Sequence, residues 1–163
     1  MPAERLLEEL WDEPATPTAR NALQAAVSRL RKTTLGARLS TRPPGYALAV
    51  GAMELDRDRF KVLLEDARRA LAAGEPSAAE AALAEGLALW RGIPLSDFVY
   101  EPFAQGEISR LEELRLEAAE LGFEAELALG RHAEIVADLE QLVAAHPFRE
   151  RLTGQLMLAL YRS

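Results

Sequence analysis

The chain has 163 residues, 49% of them apolar, no cysteine, and a net charge of −7. That is enough apolar material for one domain or two small ones, and the lack of cysteine excludes disulfides, thiolate nucleophiles and cysteine-held zinc and fits a reducing cytoplasm. No apolar run approaches the ~20 residues of a membrane-spanning helix, and the charged start lacks the apolar stretch of a signal peptide, so the expected location is cytoplasmic with no membrane partner.

The first predicted element is a short helix from Pro2 to Trp11, striped by Leu6, Leu7, Leu10 and Trp11. Trp11 is expected to anchor a core. Residues 12–18 hold two prolines and break this helix. Thr18 then caps a second helix predicted over 18–35. On it Leu23, Ala26, Val27 and Leu30 fall within roughly 100° of one another, while Arg20, Asn21, Gln24, Ser28, Arg31 and Lys32 share another arc of about 120°. The polar arc holds three cations, two amides and a hydroxyl, and no carboxylate. Arg and Lys neutralise phosphates, and Arg, Asn and Gln can read base edges, so this is a face suited to a DNA groove. Residues 38–50 read as a hairpin with Arg42 beside its turn, for which Pro44-Gly45 predicts type II geometry.

Past residue 50 the pattern is helical throughout. The expected helices run from Asp58 to Ala73, from Ala78 to Trp90 with Ser77 as N-cap, from about Phe103 to Leu129, from Ala133 to Ala145, and from about Phe148 onward. Gly74 and Gly130 mark turns between Ala- and Leu-rich helices, the pattern of tetratricopeptide-like hairpins. The long helix carries Glu112, Glu113, Glu117, Glu120, Glu124 and Glu126, expected to form a solvated face. Residues 1–50 hold seven Lys/Arg against five Asp/Glu, whereas residues 51–163 hold twelve against twenty-one. A small basic module joined to an acidic body fits a DNA-binding regulator.

Catalytic constellations are missing from the sequence. His132 and His146 have no metal-ligand spacing to a neighbour and are expected at helix ends. There is no phosphate-binding glycine loop, no nucleophile elbow and no HExxH. The pairs Glu8-Glu9 and Glu112-Glu113 are adjacent on helices and point apart. Neither enzymatic activity nor a cofactor is expected.

The segment from Arg20 to Arg31, with Thr41-Arg-Pro-Pro-Gly-Tyr46, resembles the recognition helix and wing of OmpR-type DNA-binding domains, in the form found in the actinobacterial antibiotic regulatory proteins, the SARP family. Three further stretches resemble that family's bacterial transcriptional activator domain. They are Ala88-Leu-Trp-Arg-Gly-Ile-Pro-Leu95, Glu101-Pro-Phe103 with Arg110-Leu-Glu-Glu-Leu-Arg115, and His146-Pro-Phe-Arg-Glu-Arg-Leu152 with Gln155-Leu-Met-Leu-Ala-Leu-Tyr161. The resemblance implies a mainly α fold: a winged helix-turn-helix at 1–50 with its wing at 38–50, then tetratricopeptide-like helical hairpins at 51–163. OmpR-type domains place a sheet and one more helix ahead of the helix that opens here, so the winged helix is expected to be partial. The last helix resembles the first of a third hairpin, which leaves Leu156 and Leu160 partly exposed.

By the same resemblance the protein is a DNA-binding activator. Its recognition helix would enter the major groove, its wing would reach a minor groove or the backbone, and its target would be tandem direct repeats in double-stranded DNA. Asn21, Gln24, Arg29 and Arg31 are nominated for base or phosphate contact, Arg20, Ser28 and Lys32 for phosphate, and Arg42 for the wing. Arg29 is nominated by the resemblance alone, because it lies off the polar arc. Ala26 stands where OmpR-type helices often have His. The helical part is implied in self-association and in contact with RNA polymerase. The alternative reading is a helical-repeat module for protein partners, with a vestigial DNA-binding part.

Overall fold

A computed structural model of the chain, describing residues 1–11 and 16–163, divides into two compact units, Met1–Glu54 and Leu55–Ser163. In the first unit, α1 (Ala3–Leu10) and α2 (Pro17–Leu30) precede a hairpin of β1 (Leu39–Arg42) and β2 (Gly45–Leu48). The strands are antiparallel, with Leu39 opposite Leu48 and Arg42 opposite Gly45. Leu7 of α1 and Ala19, Leu23 and Val27 of α2 are buried together, with Trp11, Leu39 and Tyr46 half-buried around them. Trp11 is thus part of the core. Ala19, Leu23 and Val27 recur every four residues, the spacing that keeps one helix face on a neighbour.

Several sequence expectations for this unit change. The N-cap of α2 is Thr16, whose Oγ1 accepts from the Ala19 N–H at 3.2 Å, not Thr18. Pro17 is the first helical residue rather than part of the break, because its missing N–H is one that a helix start leaves unpaired anyway. The remainder of the expected break, 12–15, lies outside the described residues. The helix stops at Leu30 rather than near residue 35. The Thr33 hydroxyl donates to the Leu30 carbonyl at 2.7 Å, so a side chain takes the acceptor that the next helical turn would use. Leu30, counted on the apolar stripe, is 45% exposed at that end.

The wing turn also differs. A cis Pro43–Pro44 peptide stands at its centre, and Gly45 lies in β2 with no positive φ. Gly45 is needed for room, since a Cβ there would meet the Met1 carbonyl oxygen at 2.0 Å. Met1 and Pro2 run along β2: the Tyr46 N–H donates to Met1 O at 3.0 Å, and the Ala3 N–H donates to Pro44 O at 3.1 Å.

The second unit contains α3 (Asp56–Ala72), α4 (Pro76–Ala88), α5 (Pro102–Ala128), α6 (Val136–Ala145) and α7 (Glu150–Arg162). Gly74 and Gly130 end α3 and α5 with φ near +74° and +81°, the left-handed cap that glycine adopts without penalty. The α4 helix begins with Pro76 at its first position, so Glu75 replaces Ser77 as N-cap. The stretch 133–135 is a separate 3-10 turn before α6, and α7 starts at Glu150, leaving Phe148 outside it. Phe60, Leu64 and Ala67 of α3, Ala79 and Leu83 of α4, and Ala118, Leu121 and Ala125 of α5 form one core. The alanines at these crossings let helix axes approach closely. Leu127, Ile135, Leu139, Leu152 and Ala159 form a second core that holds α6 and α7 against the end of α5. Leu156 is half-buried and Leu160 is 53% exposed.

The acidic face of α5 is not simply solvated. Arg68 reaches Glu117 at 2.6 Å, and Arg131 joins Glu126 at 3.0 Å and Glu80 at 2.7 Å. Glu120 is 3% exposed and accepts from Arg149 Nε at 2.6 Å, while Arg149 also pairs with Glu113 and Arg151 with Glu124. The Gln155 amide donates to the Glu120 carbonyl oxygen at 2.7 Å. These carboxylates clamp one helix to another, and they hold the Arg149 guanidinium well above its ordinary pKa, chiefly through the hydrogen bonds it donates to Glu120 and Glu113. His146 caps the end of α6 and is exposed, whereas His132 lies in the turn after α5 with its Nδ1 buried and unpaired.

Candidate nucleic-acid interface

The candidate surface is built on α2 and the hairpin of the first unit. Burial of Ala19, Leu23 and Val27 fixes the rotation of α2 and turns the rest of its circumference outward. Arg20, Asn21, Gln24 and Ser28 are all exposed on the helix, with Arg31 and Lys32 exposed just past its end. Arg29 is exposed too, off that arc, and Arg42 is exposed beside the wing turn. All eight nominated residues are therefore accessible. Arg20, Gln24 and the wing-turn Pro44 also line one shallow cleft of about 230 Å³ with Tyr46.

Charge sets this surface apart from its surroundings. Within the unit, Arg5 pairs with Glu9 at 2.8 Å, and Arg38 pairs with Glu54 through bonds of 2.5 and 2.8 Å. The Glu54 carboxyl also accepts from the Gly51 N–H at 2.7 Å, and these contacts, Arg38 first, lower its pKa from the ordinary glutamate value. Among the described residues, Arg20, Arg29, Arg31, Lys32 and Arg42 form no ion pair. Arg31 is the one of these five with a side-chain bond, donating from Nη2 to Thr41 Oγ1 at 2.6 Å. That bond links the end of α2 to β1 and leaves the other guanidinium donors of Arg31 facing outward. Thr41 was not nominated from the sequence, and the ten-residue separation of the pair follows no helical or strand period.

Among the described residues no group of three His, Asp or Glu side chains converges as a metal site, and no helix is long and apolar enough to cross a membrane. What the surface offers is a helix of about 21 Å, presenting cations and amides beside a hairpin. A B-DNA major groove, ~12 Å wide, admits such an element.

Comparison with known proteins finds similarity over both units. Residues 55–163 match the model of the bacterial transcriptional activator domain. The chain is 42% identical over 164 residues to the regulatory protein AfsR of Streptomyces coelicolor, and this covers 99% of the chain and 16% of AfsR. It is 37% identical over 175 residues to the regulatory protein DnrI of Streptomyces peucetius, which covers all of the chain and 64% of DnrI. The solved structure of Mycobacterium tuberculosis EmbR, in complex with a low-affinity phosphopeptide, superposes with a TM-score of 0.91 at 33% identity. It covers 99% of this chain and 44% of EmbR. The chain thus spans between a sixth and two thirds of the length of these relatives.

Proposed function

The chain belongs to the bacterial transcriptional activator domain family, in its SARP-type form, and on that premise we propose that it is a DNA-binding transcriptional activator that reads duplex DNA through α2 and the β1–β2 wing. The observation that carries this reading is the set of five exposed cations on α2, its end and the wing turn, none with a carboxylate partner among the described residues. Charges that the fold does not use are available to phosphates, and neutralising phosphates releases counterions.

In this reading α2 lies in the major groove. Asn21, Gln24, Arg29 and Arg31 contact bases or phosphates, and Arg20, Ser28 and Lys32 contact phosphates. Arg42 at the wing turn reaches the backbone or an adjacent minor groove. The helical unit mediates self-association on tandem direct repeats and contacts RNA polymerase, and the protein works in the cytoplasm.

The test is an electrophoretic mobility shift against a pool of random duplexes at low and at physiological salt. Selection of a tandem repeat, with affinity falling steeply between the two conditions, is the expected result. Arg31→Ala should weaken binding and lower the salt slope by about one if its guanidinium meets a phosphate. Absence of binding at both salt concentrations would overturn the reading and leave the helical unit as a module for protein partners.

A further inference from the structure

The five cations of the α2 surface differ in how they are held. Among the described residues Arg31 alone of them has a side-chain bond, and it is fixed at both of its ends. Its backbone closes α2: the Arg31 N–H donates to the Val27 carbonyl at 3.0 Å, and Val27 is buried in the core of the unit. The chain then returns over the Arg31 carbonyl at Gly36, where a Cβ would overlap that oxygen. The guanidinium meets β1, where Nη2 donates to Thr41 Oγ1 at 2.6 Å. Thr41 is itself a fixed point. It shares a strand face with Leu39, stands opposite Tyr46, and both of these neighbours pack on the core. Branching at Cβ restricts its χ1, so the hydroxyl is held where the guanidinium arrives.

The tether is a hydroxyl, which sets Arg31 apart from the arginines of the helical unit. A carboxylate orients a guanidinium and cancels its charge, whereas a threonine hydroxyl orients it and leaves the charge whole. A guanidinium has five N–H donors, four of them arranged as two paired edges that meet at Nη2. Nη2 gives one hydrogen to each edge, so the bond to Thr41 occupies one edge and leaves the other complete. The free edge matches two acceptors side by side, such as O6 and N7 of a guanine or two oxygens of one phosphate. Ordering a long side chain on binding costs affinity, and a fork already ordered in the free chain avoids that cost.

We propose that Thr41 is a positioning residue for DNA recognition, holding Arg31 as a fixed two-donor fork aimed at a pair of acceptors on the duplex. The proposal rests on the reading of α2 and the wing as a DNA surface, and it adds β1 to the groups that set affinity there. The test is duplex binding by the full chain and its variants, on the duplex selected from the random pool and on an unrelated one of equal length. Thr41→Val keeps the size and Cβ branch of threonine and removes the hydroxyl. It should weaken binding about three- to tenfold at unchanged melting temperature, the effect of leaving one long side chain to be ordered on binding. Thr41→Ser, which keeps the hydroxyl, should recover most of that affinity. In an Arg31→Ala background Thr41→Val should have no further effect, because Thr41 acts through Arg31. Loss on the selected duplex alone assigns the acceptor pair to a guanine, and equal loss on both duplexes assigns it to a phosphate; either supports the proposal. Natural affinity in Thr41→Val, equal loss in Thr41→Ser, or the same loss with and without Arg31 would overturn it. A natural chain that binds neither duplex overturns the DNA-binding reading and this role with it, an outcome seen before any substitution is made.

Discussion

The arginines of the two units are used in opposite ways. In the helical unit ten of eleven have a carboxylate within 4 Å: Arg57, Arg59, Arg68, Arg69, Arg91, Arg110, Arg115, Arg131, Arg149 and Arg151. In the first unit, among the described residues, only Arg5 and Arg38 of six do. One population is engaged within the fold, and the other is presented by it. The contrast reconciles an acidic net charge with the basic face of α2, since most of the acids are matched to cations within the fold of their own unit.

The largest effect is expected where the engaged population is most buried. Glu120→Ala removes the buried carboxylate that Arg149 and Arg151 share while leaving them Glu113 and Glu124, and should cost about 1.5–3 kcal/mol, the range of a hydrogen bond to a charged group, seen as a lowered midpoint in thermal or urea unfolding. A loss below about 0.5 kcal/mol, the range of an ordinary surface change, would show that the two arginines are solvated and the clamp idle. The next effect comes from moving a carboxylate to the other side of the comparison. Gln24→Glu stands one turn from Arg20 and supplies the acid that the face lacks. It should lower duplex affinity at least tenfold, about 1.4 kcal/mol, while leaving stability unchanged or raised by ~0.3–0.5 kcal/mol. Unaltered affinity would mean that this arc does not face DNA.

Smaller effects sharpen the contrast. Arg59 meets Glu85 at 3.8 Å on the surface of the helical unit, so Arg59→Ala should change stability by less than about 0.5 kcal/mol and duplex binding not at all. A drop in DNA affinity equal to that of Arg31→Ala would erase the distinction between the two populations. The smallest effect is a pH dependence. Glu54 has a lowered pKa because Arg38 and the Gly51 N–H favour its charged form. Its contribution is therefore complete above the unfolded glutamate pKa, about 4.3, and disappears as pH falls through the lower folded value. Glu54→Gln should remove that part of the acid-induced loss, followed through Trp11 fluorescence in acid titration of both proteins in a Trp90→Phe background.

How much of this was legible in the sequence depended on the range of the interactions. The face of α2 followed from a local period, and its core residues Leu23 and Val27 were placed correctly. The helix starts two residues before the position that the pattern indicates, because Pro17 has the look of a breaker and yet the first helical position tolerates it. Gly45 was read for its freedom in φ, but its role is steric and depends on Met1 and Pro2, more than forty residues earlier. The acidic face of α5 looked solvated because its partners, Arg68, Arg131, Arg149 and Arg151, belong to other parts of the chain, and no helical spacing reports them.

The most direct test is the salt dependence of duplex binding by the full chain, compared with a variant carrying Ala at Arg20, Arg29, Arg31, Lys32 and Arg42. If these cations are reserved for phosphates, the slope of log affinity against log salt should approach about −4 to −5 in the natural protein and fall close to zero in the variant, with melting temperature unchanged. Equal slopes in the two proteins would contradict the account, because the charges presented by α2 and the wing would then not be the ones that DNA meets.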